Sequence, residues 1–198
     1  KEAELCTMAA EQGLTRAMYN LARMYDEGNG VDQSDGKAIQ YLTMATEQGH
    51  VKAMFNLALM YKNGQGVAQS FTKAAELFTM AAEQGHVEAM YYLGCAYDKG
   101  EGVYQSDGKA VELSTMAAEL GHVDAMFNLA LMYRTGHGVP QSNKTAREWF
   151  TKARDAGDKG AIEELRELDA QEAKEKAATT TTATTASASS SPSLICCS

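Results

Sequence analysis

Three histidines at a constant spacing are the residues of this 198-residue chain with the clearest capacity for chemistry: His50, His86 and His122. Imidazole nitrogens bind Zn²⁺ at about 2 Å, so a column of histidines raises the question of a metal site. If each period is a pair of packed helices, however, equivalent residues lie roughly 16–20 Å apart, at about 8–10 Å per helix. This distance excludes a shared metal ion. We predict instead that the histidines are helix N-caps, a place that Asp158 takes in the last unit.

Paired glycines are the second candidate for chemistry, because glycine-rich loops can hold phosphate groups. No Gly-x-Gly-x-x-Gly or Gly-Lys-Ser/Thr motif accompanies them, and we predict no strand before them. Two glycines separated by one residue let the backbone adopt positive φ twice, so we predict four copies of one structural turn. The sequence also contains no His-Glu-x-x-His motif and no nucleophile elbow. We therefore predict no catalytic, metal-binding or cofactor-binding residues. The pairs are Gly28/Gly30, Gly64/Gly66, Gly100/Gly102 and Gly136/Gly138.

The whole chain repeats with a constant period of 36 residues. Glycine recurs at positions 13, 49, 85, 121 and 157, and alanine, leucine and tyrosine columns keep the same step. A fixed period between about 20 and 50 residues is typical of stacked repeat architectures. The sequence therefore predicts an array of identical structural units rather than one globular core.

Each unit is predicted to be two helices joined by the paired-glycine turn. In the second unit, helix A spans about residues 51–63, where Ala53, Leu57, Met60 and Tyr61 form one apolar stripe at helical spacing. Helix B spans about residues 70–84, and a serine at its start is placed to cap it. The serines are Ser34, Ser70, Ser106 and Ser142. The methionines of both helices also recur in columns at the 36-residue step. We interpret them as core filler between helices, although a methionine-rich face can also form an adaptable peptide groove.

The domain division follows from this register. Residues 1–13 are predicted to be the second half of a repeat, so we expect the chain to be a fragment. Four repeats follow at 14–49, 50–85, 86–121 and 122–157. Residues 158–176 are expected to form a C-terminal capping helix with a polar outer face, as terminal repeats need. Residues 177–198 are rich in Ala, Thr and Ser and are expected to be a disordered tail.

Bulk composition narrows the partners and the compartment. The net charge of -8 argues against a general nucleic-acid binder. No apolar run is long enough for a transmembrane helix, and no leader opens the chain. The four cysteines do not follow the repeat, which favours a reducing compartment, and we predict a cytoplasmic location. They are Cys6, Cys95, Cys196 and Cys197.

The residues proposed to bind a partner lie on the face of helix A opposite the apolar stripe. Two columns on this face change from unit to unit, as recognition by successive repeats would require. The first column runs from basic to acidic, which could orient a charged peptide, and comprises Arg16, Lys52, Glu88 and Asp124. The fourth column comprises Arg23, Leu59, Cys95 and Leu131. An ordinary solvated helix face is the alternative interpretation.

Two further columns on helix A keep one type of residue in all or most units, and we expect them to pack against the next repeat rather than contact a ligand. One is aromatic and the other is mostly asparagine. They comprise Tyr19, Phe55, Tyr91 and Phe127, and Asn20, Asn56, Tyr92 and Asn128.

The last two cysteines, Cys196 and Cys197, are a possible lipidation site. A Cys-a-a-X box needs cysteine fourth from the end, where Ile195 stands, but a terminal Cys-Cys-x could still be palmitoylated or prenylated. Unmodified cysteines at a flexible end are the alternative.

The repeat pattern closely resembles the Sel-one-like repeat, a relative of the tetratricopeptide repeat, over about residues 1–165. The resemblance implies a right-handed α-solenoid whose A helices line a concave face, and it implies adaptor or scaffold functions. One branch of that family carries a disulfide in each repeat, and this chain lacks those periodic cysteines. In the second unit the motif is Ala53, Leu57, Ala58, Tyr61, Gly64, Gly66, Val67, Lys73, Ala74 and 81–85.

The sequence thus predicts an all-α solenoid that acts as a non-catalytic protein-interaction scaffold or adaptor, with a protein or peptide partner on its concave face. An alternative is a regulatory repeat arm of a larger enzyme, such as a kinase or an endoplasmic-reticulum-degradation ubiquitin-ligase complex, whose catalytic domain lies outside the fragment. A third possibility is a repeat hydrolase, which would show turnover from this segment alone.

Overall fold

The structure, a computed structural model, describes the backbone of residues 2–188 and the side chains of residues 3–174. This part of the chain contains α-helices and no β-strand. The helices are α1 (Glu2–Glu11), α2 (Thr15–Glu27), α3 (Asp35–Glu47), α4 (Val51–Asn63), α5 (Phe71–Glu83), α6 (Val87–Lys99), α7 (Asp107–Glu119), α8 (Val123–Thr135), α9 (Asn143–Asp155) and α10 (Gly160–Ala188).

Each helix packs against the helices before and after it in the chain, which is the contact pattern of a solenoid. The A helices are α2, α4, α6 and α8, and the B helices are α1, α3, α5, α7 and α9. The predicted all-α solenoid with a 36-residue period is confirmed. The observed bounds of α4 equal the predicted ones, and α5 is one residue shorter at each end than predicted.

Serine caps fix where the B helices begin. The Ser142 hydroxyl oxygen accepts a hydrogen bond from the backbone N–H of Thr145 at 3.2 Å, and Ser70 accepts one from Lys73 at 3.3 Å. Equivalent bonds form at Ser34 and Ser106. Each cap satisfies one of the N–H groups that the first helical turn leaves without a partner, so the predicted capping is confirmed.

The second glycine of three of the four turns also brings successive units into close contact. Gly102 has a φ of +76°, and a Cβ added there would overlap the backbone of Phe71 and Thr72 at the start of α5. Gly66 and Gly138 meet Asp35 and Asp107 in the same way. The turn of one repeat therefore packs against the B-helix start of the repeat before it, where a larger side chain has no room.

The methionine columns divide between the two helices. On the A helices Met18, Met54 and Met90 are buried, as the core-filler interpretation predicted. On the B helices the interpretation is wrong for Met80 and Met116, which are 43% and 42% exposed. Their column lies on the outward side of the B helices, because the inward side is occupied by two columns of alanine. Those alanines are buried at Ala38, Ala74, Ala110 and Ala146 and at Ala45, Ala81, Ala117 and Ala153.

Helix α10 covers the end of the array through ion pairs as well as apolar contacts. Arg134 pairs with Glu164, and Arg147 pairs with Glu172 at 2.9 Å and with Asp169 at 2.5 Å. Asp169, interpreted from the sequence as part of a solvated outer face, thus has a partner on α9. Leu168 is buried against the array.

The end of α10 differs from the expected boundary at residue 176. The helix continues to Ala188, and no proline or glycine interrupts residues 161–188. The rest of the expected tail, residues 189–198, lies outside the described residues. Within the described part, no helix is both long and apolar enough to cross a bilayer.

Candidate partner-binding face

The histidine column is structural. In His50, His86 and His122 the ring Nδ1 accepts a hydrogen bond from the backbone N–H three residues later, at 3.1, 3.3 and 3.2 Å. Each ring also stacks on an aromatic residue of the preceding repeat, at centroid distances of 4.6, 4.7 and 4.5 Å. Among the described residues, no group of three metal-ligating side chains is close enough to hold a metal ion. The predicted capping role is confirmed.

The capping bonds of His50 and His86 require a neutral imidazole, since a protonated Nδ1 cannot accept a hydrogen bond. Burial lowers the pKa of His50 and that of the more deeply buried His86, because the charged form loses hydration. Lys52 lowers both values further, whereas Glu88 opposes the shift at His86.

The aromatic and asparagine columns hold neighbouring repeats together. Tyr19 and Tyr91 stack on the capping histidines of the next repeat, and their hydroxyls accept hydrogen bonds from Asn56 and Asn128, at 3.5 and 3.4 Å. This is the packing role that the sequence favoured for both columns. These residues position the A helices relative to one another, and Tyr91, Asn56 and Asn128 also line the clefts between those helices.

The first variable column lies in the first turn of each A helix. Arg16, Lys52, Glu88 and Asp124 are all exposed. Glu88 lies 3.4 Å from the capping His86. The column therefore presents positive charge at the α2–α4 end and negative charge at the α6–α8 end.

The fourth column lies in clefts between successive A helices. The first cleft, between α2 and α4, has a volume of about 190 Å³ and is lined by Arg23 and Leu59. The second cleft, between α4 and α6, has a volume of about 30 Å³ and is lined by Cys95. The third cleft, between α6 and α8, has a volume of about 390 Å³ and is lined by Cys95 and Leu131. The structure thus separates the two variable columns into an exposed charged row and a row of clefts.

Cys95 and Tyr91 meet in the third cleft, where both side chains are partly buried. Burial raises the pKa of the Cys95 thiol, which hydrogen bonds the Tyr91 hydroxyl. Burial likewise raises the pKa of Tyr91 to about 12. Both groups are therefore protonated near neutral pH, and the thiol is a poor nucleophile because the thiolate is the reactive form.

The residues that open the third cleft were not identified from the sequence. Ser114 stands where the other repeats have Leu42, Phe78 and Phe150. Among the described residues it is the one polar side chain that is buried. Gly94 stands where the other repeats have alanine, and a Cβ there would lie 3.3 Å from the Ser114 hydroxyl oxygen. The signal that could have found them is their departure from their columns, in one repeat only.

A polar contact closes one side of the third cleft. His137, in the turn after α8, contacts Asp98 at 2.9 Å and Asp107 at 3.4 Å. The contact joins the third and fourth repeats across the cleft mouth. Gln65 makes the equivalent contacts at the junction between the first and second repeats, with Asp26 at 2.9 Å and Asp35 at 3.2 Å, so the polar contact recurs there with glutamine in place of histidine.

Of the remaining cysteines, Cys6 alone lies among the described residues. Cys6 is a half-buried free thiol on α1. The terminal pair Cys196 and Cys197 lies outside the described residues, so their proposed lipidation stays a prediction.

The chain matches the family model of the Sel1 repeat four times, over residues 15–50, 51–86, 87–122 and 123–158. A search of the curated proteins found no match. Among solved structures, c5321, a protective antigen of uropathogenic Escherichia coli with an SLR fold, is 31% identical, with a TM-score of 0.81. A Sel1 repeat protein from Oxalobacter formigenes is 30% identical, with a TM-score of 0.75.

These matches cover 82% of this chain but only 35% of the E. coli protein and 65% of the Oxalobacter protein. Cysteine rich protein B of Helicobacter pylori is 23% identical over 67% of this chain and 98% of its own, with a TM-score of 0.55. At that identity the likeness shows a shared fold.

Proposed function

Because this chain belongs to the Sel1 repeat family, whose members are generally protein-interaction scaffolds, we propose that it is a non-catalytic adaptor that binds a protein partner along its A-helix face. The observation that carries the proposal is the division of that face. Its aromatic and asparagine columns are used for packing between repeats, whereas its variable columns are exposed or line clefts.

Charge supports an extended partner segment. Arg16 and Lys52 are positive and Glu88 and Asp124 negative, so a segment with acidic residues near one end and basic residues near the other would match the row. Stacks of tyrosine or phenylalanine on histidine set the spacing of the A helices, so the partner would meet a preformed surface and lose little affinity to ordering of the scaffold.

The proposal is tested by quantitative affinity capture with purified protein. Wild type is compared with the triple variant Arg16→Glu, Lys52→Glu, Leu131→Asp, which changes both variable columns. The matched control makes the same kinds of change on the B helices, Lys73→Glu, Lys144→Glu and Met80→Asp, at three exposed positions.

We expect the A-helix variant to lose its bound proteins at least tenfold, and the control to keep them. Circular dichroism of each variant verifies that the helices are retained. Capture of the same partners by wild type and by the folded A-helix variant would overturn the proposed face. Turnover of a substrate by the isolated chain would overturn the non-catalytic assignment.

A further inference from the structure

The three clefts of the A-helix face differ in volume by more than tenfold, from about 30 to about 390 Å³. The backbone register is the same at each junction, so the difference must come from side chains. The largest lies between α6 and α8, and its volume falls within the range of about 300–1,000 Å³ typical of ligand sites.

Two side chains per junction account for the series. One comes from the B helix between the two A helices, and the other comes from the second A helix. The pair is Leu42 and Asn56 at the first cleft, Phe78 and Tyr92 at the second, and Ser114 and Asn128 at the third. The cleft volume is about 30 Å³ where the pair is two rings. It is about 190 Å³ where the pair is leucine and asparagine, and about 390 Å³ where the pair is serine and asparagine.

The second cleft shows what fits at this place. The rings of Phe78 and Tyr92 are stacked there, with centroids 5.4 Å apart and planes 9° apart, and Phe55 packs against both. At the third cleft the same position has no ring from this chain. Gly94 beneath it removes one more carbon and brings the cleft floor down to the helix backbone.

We propose that the third cleft binds an aromatic side chain of the partner protein, whose ring takes the place that the Phe78 ring takes at the second cleft. The part of this inference that assigns the ring to a protein rests on the proposed function. An aromatic anchor in a preformed pocket is the feature that commonly dominates the energy of a protein interface.

The lining of the third cleft suits a ring. Leu131 and Met132 supply an apolar wall from α8, and a methionine sulfur makes favourable contacts with aromatic rings. Tyr91 supplies an aromatic surface from α6. Polar groups at the mouth, Asp98 and His137, lie where the backbone or a phenolic hydroxyl of the partner would emerge.

The first cleft is a poorer candidate because two of its residues restrict it. Leu42 occupies about the place that Ser114 vacates, and the volume is half that of the third cleft. The Arg23 guanidinium at its edge is held by Glu27 at 2.6 Å. Specificity for a ring is therefore assigned to one junction of the array.

The test uses purified chain and two small probes, so that it does not need an identified partner. The probes are N-acetyl-phenylalaninamide and N-acetyl-leucinamide, titrated into ¹⁵N-labelled protein and followed by backbone amide chemical shifts. We expect the phenylalanine probe to shift the amides of Gly94, Ser114 and Leu131 with a Kd on the order of 1 mM, as its size allows. We expect the leucine probe to bind at least threefold more weakly.

Two substitutions at one position separate the pocket from the fold. Ser114→Phe places in the cleft the residue found at positions 78 and 150, and it is expected to weaken binding at least tenfold. Ser114→Ala keeps the space and is expected to bind as wild type does. If Ser114→Phe fails to fold by circular dichroism, Ser114→Leu, the residue type at position 42, takes its place in the comparison.

Absence of shifts around the third cleft in wild type would overturn the inference, as would equal binding of both probes or equal binding by the filled variant. The outcome is distinguishable from that of the capture experiment. Probe binding without partner capture would leave the pocket standing and remove the adaptor function, and partner capture without probe binding would do the reverse.

Discussion

Replacement of Gly102 by alanine tests whether the turns really join successive repeats. Gly102 lies in the turn after α6, with a φ of +76°. The added Cβ would lie 2.6 Å from the backbone nitrogen of Thr72 and closer still to the Phe71 carbonyl group. Both atoms belong to the first turn of α5, which is fixed by the Ser70 cap, so they cannot rotate away as a side chain could.

Two costs add in this variant. A left-handed conformation costs a non-glycine residue about 1–2 kcal/mol, partly offset by about 0.4–1 kcal/mol because alanine restricts the unfolded chain. Overpacking against backbone costs typically about 1–3 kcal/mol more. We therefore expect Gly102→Ala to lower the free energy of unfolding by about 2–4 kcal/mol.

Gly85→Ala is the matched control, because Gly85 has a φ of +83° and its added Cβ would meet nothing within 4 Å. It carries the conformational cost alone, which we expect to be about 1 kcal/mol. Urea unfolding followed by circular dichroism at 222 nm (about the helical minimum) measures both variants against wild type.

Equal losses of stability in the two variants would refute the reasoning. That result would mean that the turn can move off α5 at no cost, and that the junction between repeats does not depend on this close approach. A larger loss in Gly85→Ala would refute it more strongly, because it would place the tight contact at the wrong glycine.

Three further predictions follow from single side chains. His86→Asn keeps a capping oxygen but cannot titrate. Because burial lowers the pKa of His86, the wild type should lose stability as the pH falls below about 6.5. The variant should lose less stability between pH 7 and pH 5, as measured by urea titrations. Cys95 should be alkylated by iodoacetamide more slowly than free cysteine at pH 8, since burial raises its pKa, with mass spectrometry as the readout and an equal rate as the contrary result. Arg147→Ala should lower the free energy of unfolding by about 1 kcal/mol or less, because the ion pairs that it loses with α10 are partly exposed. The loss should be smaller in 0.5 M salt, about three times physiological ionic strength. A loss that does not depend on salt would point to packing instead.

Much of the fold is predictable from this sequence because the same local signals are repeated. Ser70 before a helical stripe, Gly64 after one, and Tyr61 within it each indicate one boundary or one face, and the constant period applies the reading to every unit. The histidine caps were predictable for the same reason, since Asp158 takes their place in the last unit.

The third cleft was not predicted, because it depends on residues that are distant in the sequence. Ser114 is harmless within its own helix, and Gly94 reads as one more small residue in an alanine column. Their effect appears only when the two helices pack and when Asn128, from the next repeat, fails to fill the space. The stacking of Tyr91 on His122 was missed for a similar reason, because the rings meet across a repeat boundary.

The end of the array shows the opposite limitation. The composition of residues 177–188 predicted disorder, whereas the structure continues α10 through them to Ala188. Low hydrophobicity measures how little core a segment can bury, but a helix also extends by backbone hydrogen bonds from an existing end.

Amide hydrogen exchange with and without a captured partner tests the central claim most directly. We expect bound partner to slow exchange in the A helices, above all in α6 and α8 beside the third cleft, and to leave α3 and α5 unchanged. Protection confined to those B helices, with α6 and α8 exchanging as in the free chain, would contradict it.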